Sequence, residues 1–197
     1  MDAPNDWSPF VLLLVDIQED FWSSEHKKNF PNFTSNISKL LNFSRQAGLD
    51  IVHVRAEFEP DRSNWIKPYR LKGKIPCLRG TSGASVLSCA TEKNGEPIIY
   101  KHSFDAFFKH QLLKLLVFRN KSFILLAGLQ TSVCILFTAA SAVQRGFSVA
   151  VIEDCCADHP SKHEATITGY PFIFERTLVE RLNYDNERWL EMLENMG

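Results

Sequence analysis

Between Phe123 and Asp154 the chain reads FILLAGLQTSVCILFTAASAVQRGFSVAVIED, and this stretch leaves few folds open. The apolar run from Phe123 to Ala127, closed by Gly128, has the length of a strand and no polar face, which suits a strand covered on both sides. A polar turn, Gln130-Thr131-Ser132, follows, and a hydroxyl of Thr131 or Ser132 is placed to cap a helix by accepting from a first-turn amide. Val133, Leu136, Phe137, Ala140 and Val143 then repeat at helical spacing. Gly146 ends the predicted helix, and Phe147 to Ile152 reads as the next strand. Strand, helix and strand in this order make a right-handed crossover within a parallel sheet. Cys134 falls in the first helical turn, where unpaired amides and the helix dipole favour an anion, so a stabilised thiolate is expected there. The alternative is an inert core cysteine.

Other segments repeat the pattern. Phe10 to Val15 is a second wholly apolar run, and Asp16 follows it directly, at the edge where open α/β sheets bind ligands. Alone, a carboxylate in the position of Asp16 is more commonly a loop cap. Phe21 and Trp22 come next, able to wall a pocket or cover the core. Pro31 to Gly48 predicts a helix with Ile37, Leu40, Leu41 and Ser44 on one face. Asp50 to Phe58 predicts a strand; its His53 reads as a hydrogen-bonded core or edge residue, while Arg55 and Glu57 are placed to reach the same edge as Asp16. Pro60 to Gly95 shows no sustained period and reads as a covering loop, with Trp65, Tyr69 and Arg70 as candidate substrate contacts. Glu96 to Tyr100 is a short strand ended by Lys101, and Phe104, Ala106 and Phe107 surround that ammonium with apolar groups. A helix is predicted over His110 to Phe118, a short edge strand over Phe172 to Phe174, and a terminal helix over Asn186 to Met196. His159 and His163 are four apart, but Pro160 intervenes and no third ligand presents itself, so a capping or surface role is expected and no metal.

Bulk properties exclude several classes. A net charge of −1 favours neither nucleic acid nor an anionic membrane as partner. No apolar run approaches the ~18–20 residues of a membrane span. MDAPNDWSP lacks the basic region and apolar core of a secretory signal, and five cysteines form no paired zinc spacing. Free thiols in the cytoplasm, with adjacent Cys155 and Cys156 as small buried residues, are the expectation. The 197 residues read as one domain with an aromatic core, since Phe alone occurs 15 times.

Three predicted strands thus end at Asp16, at Lys101 and just before Cys134. Parallel strands bring these ends to one edge, and a carboxylate, a cation and a thiol together suit nucleophilic acyl transfer. LLLVDIQEDF around Asp16, RGTSGA at Arg79 to Ala84, YKHSFDAF around Lys101 and AGLQTSVCILFTAASAVQRGFSVAVIEDCCAD around Cys134 are, in this order and spacing, specific. With them the chain resembles the isochorismatase-like cysteine hydrolases, the group that includes nicotinamidases and carbamoylsarcosine amidase.

The resemblance implies a three-layer α/β/α sandwich with a central, mostly parallel, Rossmann-like sheet. It implies an Asp16-Lys101-Cys134 catalytic triad, a cis peptide at Leu129–Gln130, and oxyanion binding by the amides of Gln130 and Cys134. Phe21 and Phe107 are the candidate substrate-binding aromatics. Where nicotinamidases carry a D-x-H metal motif this chain has EFEPDRSNW, which disfavours a metal-bound site. Relatives acting on the vinyl ether of isochorismate typically lack the cysteine, so Cys134 favours amide or ureide hydrolysis. The ether hydrolase and a catalytically silent binding protein are the alternatives. Asp105 stands where many relatives have a small residue, and its carboxylate is expected near the lysine. A small-molecule substrate, no cofactor and a homo-oligomer complete the expectations.

Overall fold

The computed structural model of the protein describes residues 5–196. Six strands form one sheet in the order β3-β2-β1-β4-β5-β6, and every pairing is parallel. They are β1 (Phe10–Val15), β2 (Asp50–Ala56), β3 (Ile98–Lys101), β4 (Phe123–Leu129), β5 (Ser148–Ala157) and β6 (Glu175–Thr177). Seven α-helices accompany them: α1 (Ser24–Asn29), α2 (Phe33–Gln46), α3 (Lys67–Lys72), α4 (His110–Phe118), α5 (Leu136–Val143), α6 (Pro160–Gly169) and α7 (Leu182–Met196). None of the described helices is long and apolar enough to cross a membrane.

The wholly apolar β1 and β4 are the two central strands, buried at every position. Alternate side chains serve opposite layers, as a two-residue period requires. Phe10, Leu12 and Leu14 pack with Ile37, Leu40 and Leu41 of α2 and with Leu182 and Trp189 of α7. Val11, Leu13 and Val15 pack with Leu112 and Leu116 of α4 and with Ala139 and Ala142 of α5. The sheet is therefore covered on both faces, which is what its uninterrupted apolar runs require.

Chain order fixes where a site can form. The chain runs outward from β1 through β2 to β3, then returns to place β4 on the other side of β1. Strand order reverses between β1 and β4, and the crevice beyond the carboxyl ends at such a point is the usual ligand position. Val15 pairs with Gly128 there. Gly128 has φ 135°, and a Cβ on it would lie 2.0 Å from the Val15 carbonyl oxygen. Gly128→Ala is therefore expected to cost about 3 kcal/mol or more through backbone overlap and a disfavoured φ. A thermal melt beside the wild type checks this, and an unchanged Tm would contradict it.

Three details differ from expectation. The edge strand is Glu175–Thr177, paired with Ala150 to Ile152, while Phe172 to Phe174 forms no strand and leaves Phe172 exposed. Strand β5 runs on through Cys155 and Cys156 because its register against β4 shifts between Leu126 and Gly128. Helix α5 buries Thr138, Ala139, Ser141 and Ala142, whereas Phe137 and Val143 of the apolar repeat are 52% and 37% exposed. Hydrogen bonds explain this last choice of face. Thr138 Oγ1 accepts from the Ala106 amide at 3.1 Å, and Ser141 Oγ donates to Asp105 at 2.8 Å, so both polar side chains are satisfied when buried.

His53 is the hydrogen-bonded core histidine expected, with Nε2 2.8 Å from Glu96 Oε2. Burial opposes charge on Glu96, but hydrogen bonds from Arg45, the Lys93 amide and His53 outweigh it and hold the carboxyl down at about 2. The unfolded value is about 4.3, so Glu96 stabilises the fold above that pH and loses its effect as pH falls towards 2. Glu96→Gln should therefore lower stability at pH 7 by about 1–3 kcal/mol. It should also reduce the further loss between about pH 4.3 and 2; denaturant melts across that range give the comparison, and parallel curves would contradict the assignment.

Candidate active site

Asp16, Lys101 and Cys134 meet at the switch point although 118 residues separate the first from the last. Asp16 leaves the end of β1 with φ 53°, a left-handed conformation that Asp tolerates better than most residues. Its amide donates to the Val54 carbonyl at 2.8 Å, so the turn remains tied to β2. Lys101 ends β3, two strands from β1, and pairs in register with the small Ala56. From there its side chain crosses the end of β2, and Nζ lies 2.7 Å from Asp16 Oδ2. The same nitrogen donates to the Ser103 carbonyl at 2.7 Å and lies 3.4 Å from Cys134 Sγ.

All three side chains are buried. Burial works against charge on Lys101, but the Asp16 carboxylate, followed by Cys134, outweighs it and raises the ammonium above its ordinary range. Burial first and Asp16 second push the Cys134 thiol up, and Lys101 only partly offsets them. At rest these surroundings favour the ammonium on Lys101 and the protonated thiol on Cys134. This corrects the expectation of a thiolate stabilised by its position in a helix. Oδ1 of Asp16 has no hydrogen-bond partner among the described residues, which leaves an acceptor for a proton beside the thiol.

The turn carrying Cys134 is also built differently from expectation. Thr131–Ile135 is a π-helical turn leading into α5. Its hydroxyls do not cap it by accepting from backbone. The Ser132 amide and Ser132 Oγ both donate to Asp158 Oδ2, at 2.8 and 2.6 Å, and Thr131 Oγ1 lies 2.8 Å from His163 Nδ1. Asp158 directly follows β5, so the strand next to β4 supplies the cap. Sequence reading assigned it no role; the available signal was an acidic residue closing a strand just before His159-Pro160. His159 shows the surface role expected, near Ser161 and Glu25, and among the described residues no group of three or more His, Cys, Asp or Glu side chains is arranged to hold a metal.

The peptide between Leu129 and Gln130 is cis, and the Gln130 carbonyl accepts from the amides of Val133 and Ile135. Gln18 is a second residue that sequence reading missed. Buried beside Asp16, it bonds both the amide and the carbonyl of Ala56 and the carbonyl of Ala84, joining the end of β1 to β2 and to the covering loop.

Of the aromatic candidates, Phe21 packs at the end of β2 with a cluster of Ala56, Phe58, Trp65 and Cys77. Phe107 turns into the core instead, 5.9 Å from the Phe147 ring and beneath the Arg145 guanidinium, at the opposite end of β5. Phe104 packs edge-on to Tyr69 at 6.0 Å and lies 6.0 Å from the Phe137 ring. Tyr69 is half-buried, and burial, followed by Cys134, raises its phenol. Trp65 donates to the Glu59 carbonyl and Arg70 to the carbonyls of Trp65 and Arg62, so these two bind the loop to itself. Arg55 pairs with Glu92, and Glu57 with Arg79. Asp105 does not face Lys101: its two oxygens accept from Ser141 Oγ and the Phe107 amide. A cavity of about 600 Å³ lies between Ser122, Phe147, Phe172 and Met192, at the edge opposite the triad.

Comparison with known proteins agrees with this architecture. Residues 10–171 match the family model described as the isochorismatase domain. A maleamate amidohydrolase of Pseudomonas putida is 27% identical over 80% of this chain and 76% of its own length. A secreted isochorismatase effector of Verticillium dahliae is 32% identical over 75% of this chain and 72% of its own. Among solved structures, an isochorismatase family protein from Desulfovibrio vulgaris superposes with a TM-score of 0.81 at 25% identity, covering 89% of this chain and 96% of that one.

Proposed function

Because the chain belongs to the isochorismatase family, we propose that it is a cysteine amidohydrolase cleaving a small amide or ureide C–N bond through a thioester on Cys134. The observation that carries this reading is the buried contact of Lys101 Nζ with both Asp16 Oδ2 and Cys134 Sγ. The amidohydrolase among its relatives supports the bond type.

The chemistry follows from the resting charges. As Cys134 Sγ attacks the carbonyl carbon, its proton passes to Asp16, and Lys101 stabilises the sulfur while negative charge develops there. The oxyanion is received by the amides of Gln130 and Cys134; a donor of this kind contributes about 2.7–4 kcal/mol to transition-state binding. Amides in the first turn of a helical segment lack intrahelical acceptors, so the Cys134 N–H is available for the task. Collapse of the tetrahedral adduct breaks the C–N bond. Asp16 returns the proton to the leaving nitrogen, releasing ammonia or an amine. Water then gives its proton to Asp16 and attacks the thioester; C–S cleavage restores the acid product and the Cys134 thiol. EFEPDRSNW in place of a D-x-H motif supports a mechanism without a resident metal. The half-exposed Phe137 and the exposed Phe108 support self-association.

Ammonia release from a panel of primary amides, ureides and carbamoyl compounds tests the reading, with Cys134→Ala assayed beside the wild type. Release by the wild type alone is the expected result. Turnover of isochorismate that survives Cys134→Ala would favour the ether hydrolase. Silence of both proteins towards every compound would favour a binding protein on this fold.

A further inference from the structure

We propose that Asp158 is a positioning residue: its carboxylate occupies the amino end of the Thr131–Ile135 turn, fixes that turn, and restrains the reactivity of Cys134 at rest. The inference rests on the reading of Cys134 as the nucleophile but is tested without its turnover. Cys134 lies two residues beyond Ser132, and the amino end of such a turn offers unpaired amides and a positive dipole end to negative groups. Asp158 takes the Ser132 amide there and leaves that of Cys134 free. Oδ2 accepts from the Ser132 amide at 2.8 Å and from Ser132 Oγ at 2.6 Å, while Oδ1 accepts from the His159 amide at 2.7 Å. The side chain is only 4% exposed, so these bonds are not shared with bulk solvent.

The groups facing Asp158 do not displace it from the turn. His26 of α1 and His163 of α6 lie within reach of its charge. Burial pushes both the His26 and the His163 imidazoles down, so at neutral pH the cations that would compete for the carboxylate are absent there. His159 is turned to Ser161 and towards Glu25, with its Nε2 3.8 Å from Glu25 Oε1. On the other side of the turn, Cys134 contacts Lys101, which pairs with Asp16, and the charges of both bear on the thiol. Asp16 opposes a thiolate from the front and Asp158 takes the dipole from behind, leaving Lys101 as the cation that favours ionisation. The arrangement has a consequence for catalysis. The thiol proton stays on sulfur until Asp16 removes it during attack, so Asp16 holds a proton to deliver to the leaving nitrogen. A pre-formed thiolate would leave Asp16 unprotonated at that step.

The test is the rate at which iodoacetamide alkylates Cys134 at pH 8 in the full-length protein, read by peptide mass spectrometry to separate it from the other four cysteines. Asp158→Asn and Asp158→Ser each remove the charge and retain a cap acceptor, so either suffices if the other folds poorly. Both should label about threefold faster than wild type, the size of a charge effect at a helical terminus. Asp158→Glu keeps the charge but not the cap geometry and should label no faster than wild type. Unchanged labelling in the neutral variants would overturn the proposal. So would equal acceleration in Asp158→Glu, because that would assign the effect to loosening of the turn.

Discussion

Cys134→Ala should lower ammonia release by about a thousandfold or more while leaving the fold intact. Loss of a nucleophile removes covalent catalysis entirely, and what survives in such enzymes comes from binding and oxyanion stabilisation alone. The substitution removes one sulfur atom from a site whose strongest interaction, Lys101 with Asp16 at 2.7 Å, does not depend on it. The thermal midpoint should therefore move little, and substrate should still bind. Initial rates beside a melting curve check both halves. A variant that retains most of its activity would remove the thioester from the mechanism. A variant that loses activity only together with its fold would leave the nucleophile unassigned, and Cys134→Ser, nearly isosteric and far less readily ionised, would then decide.

Asp16→Asn should separate thiol reactivity from turnover. Asp16 is proposed as the base for attack and the acid for the leaving nitrogen, and loss of such a group costs about 10²–10⁴ in rate. The same carboxylate pushes the Cys134 thiol up and holds Lys101 charged. With asparagine in its place the thiol falls towards its ordinary value, and a thiolate paired with Lys101 becomes accessible. Iodoacetamide should therefore label Cys134 faster in the variant even as ammonia release collapses. A buried ammonium deprived of its counterion also costs the fold about 3–5 kcal/mol. Thiolate formation offsets part of this, so the deficit should narrow as pH rises through the lowered thiol value. Labelling rates, turnover and melts from pH 6 to 9 test the three effects together; slower labelling in Asp16→Asn would contradict the charge assignment.

The central strands were legible because they are buried on both faces. A strand in that position needs neither alternation nor a particular partner to declare itself, only length and apolarity, and Phe10–Val15 and Phe123–Leu129 have both. The convergence of Asp16, Lys101 and Cys134 followed from parallel topology and from each residue standing at or just past a strand end. Side-chain choices made after the fold forms were harder to see. Helix α5 has two stripes that could face the sheet, and hydrogen bonds to Ala106 and Asp105, both distant in sequence, favour Thr138 and Ser141 over Phe137 and Val143. Those same bonds turn Asp105 away from Lys101. Phe107 follows it into the core. Asp158 and Gln18 act mainly through tertiary hydrogen bonds to segments distant in sequence, so the one local sign, an acidic residue closing a strand before His159-Pro160, did not say what Asp158 would hold. The thiolate expectation failed for a related reason: position in a turn is local, but the burial and the Asp16 carboxylate that push the thiol up are supplied by the rest of the fold.

The most direct measurement is the mass of the protein quenched in acid during turnover of whichever amide of the panel releases ammonia. A covalent acyl adduct is predicted, localised to the peptide containing Cys134, at the mass of the substrate acyl group in place of one hydrogen, and absent from Cys134→Ala. Ammonia release that continues in Cys134→Ala with no adduct on the wild-type Cys134 peptide would contradict the proposed chemistry at its first step.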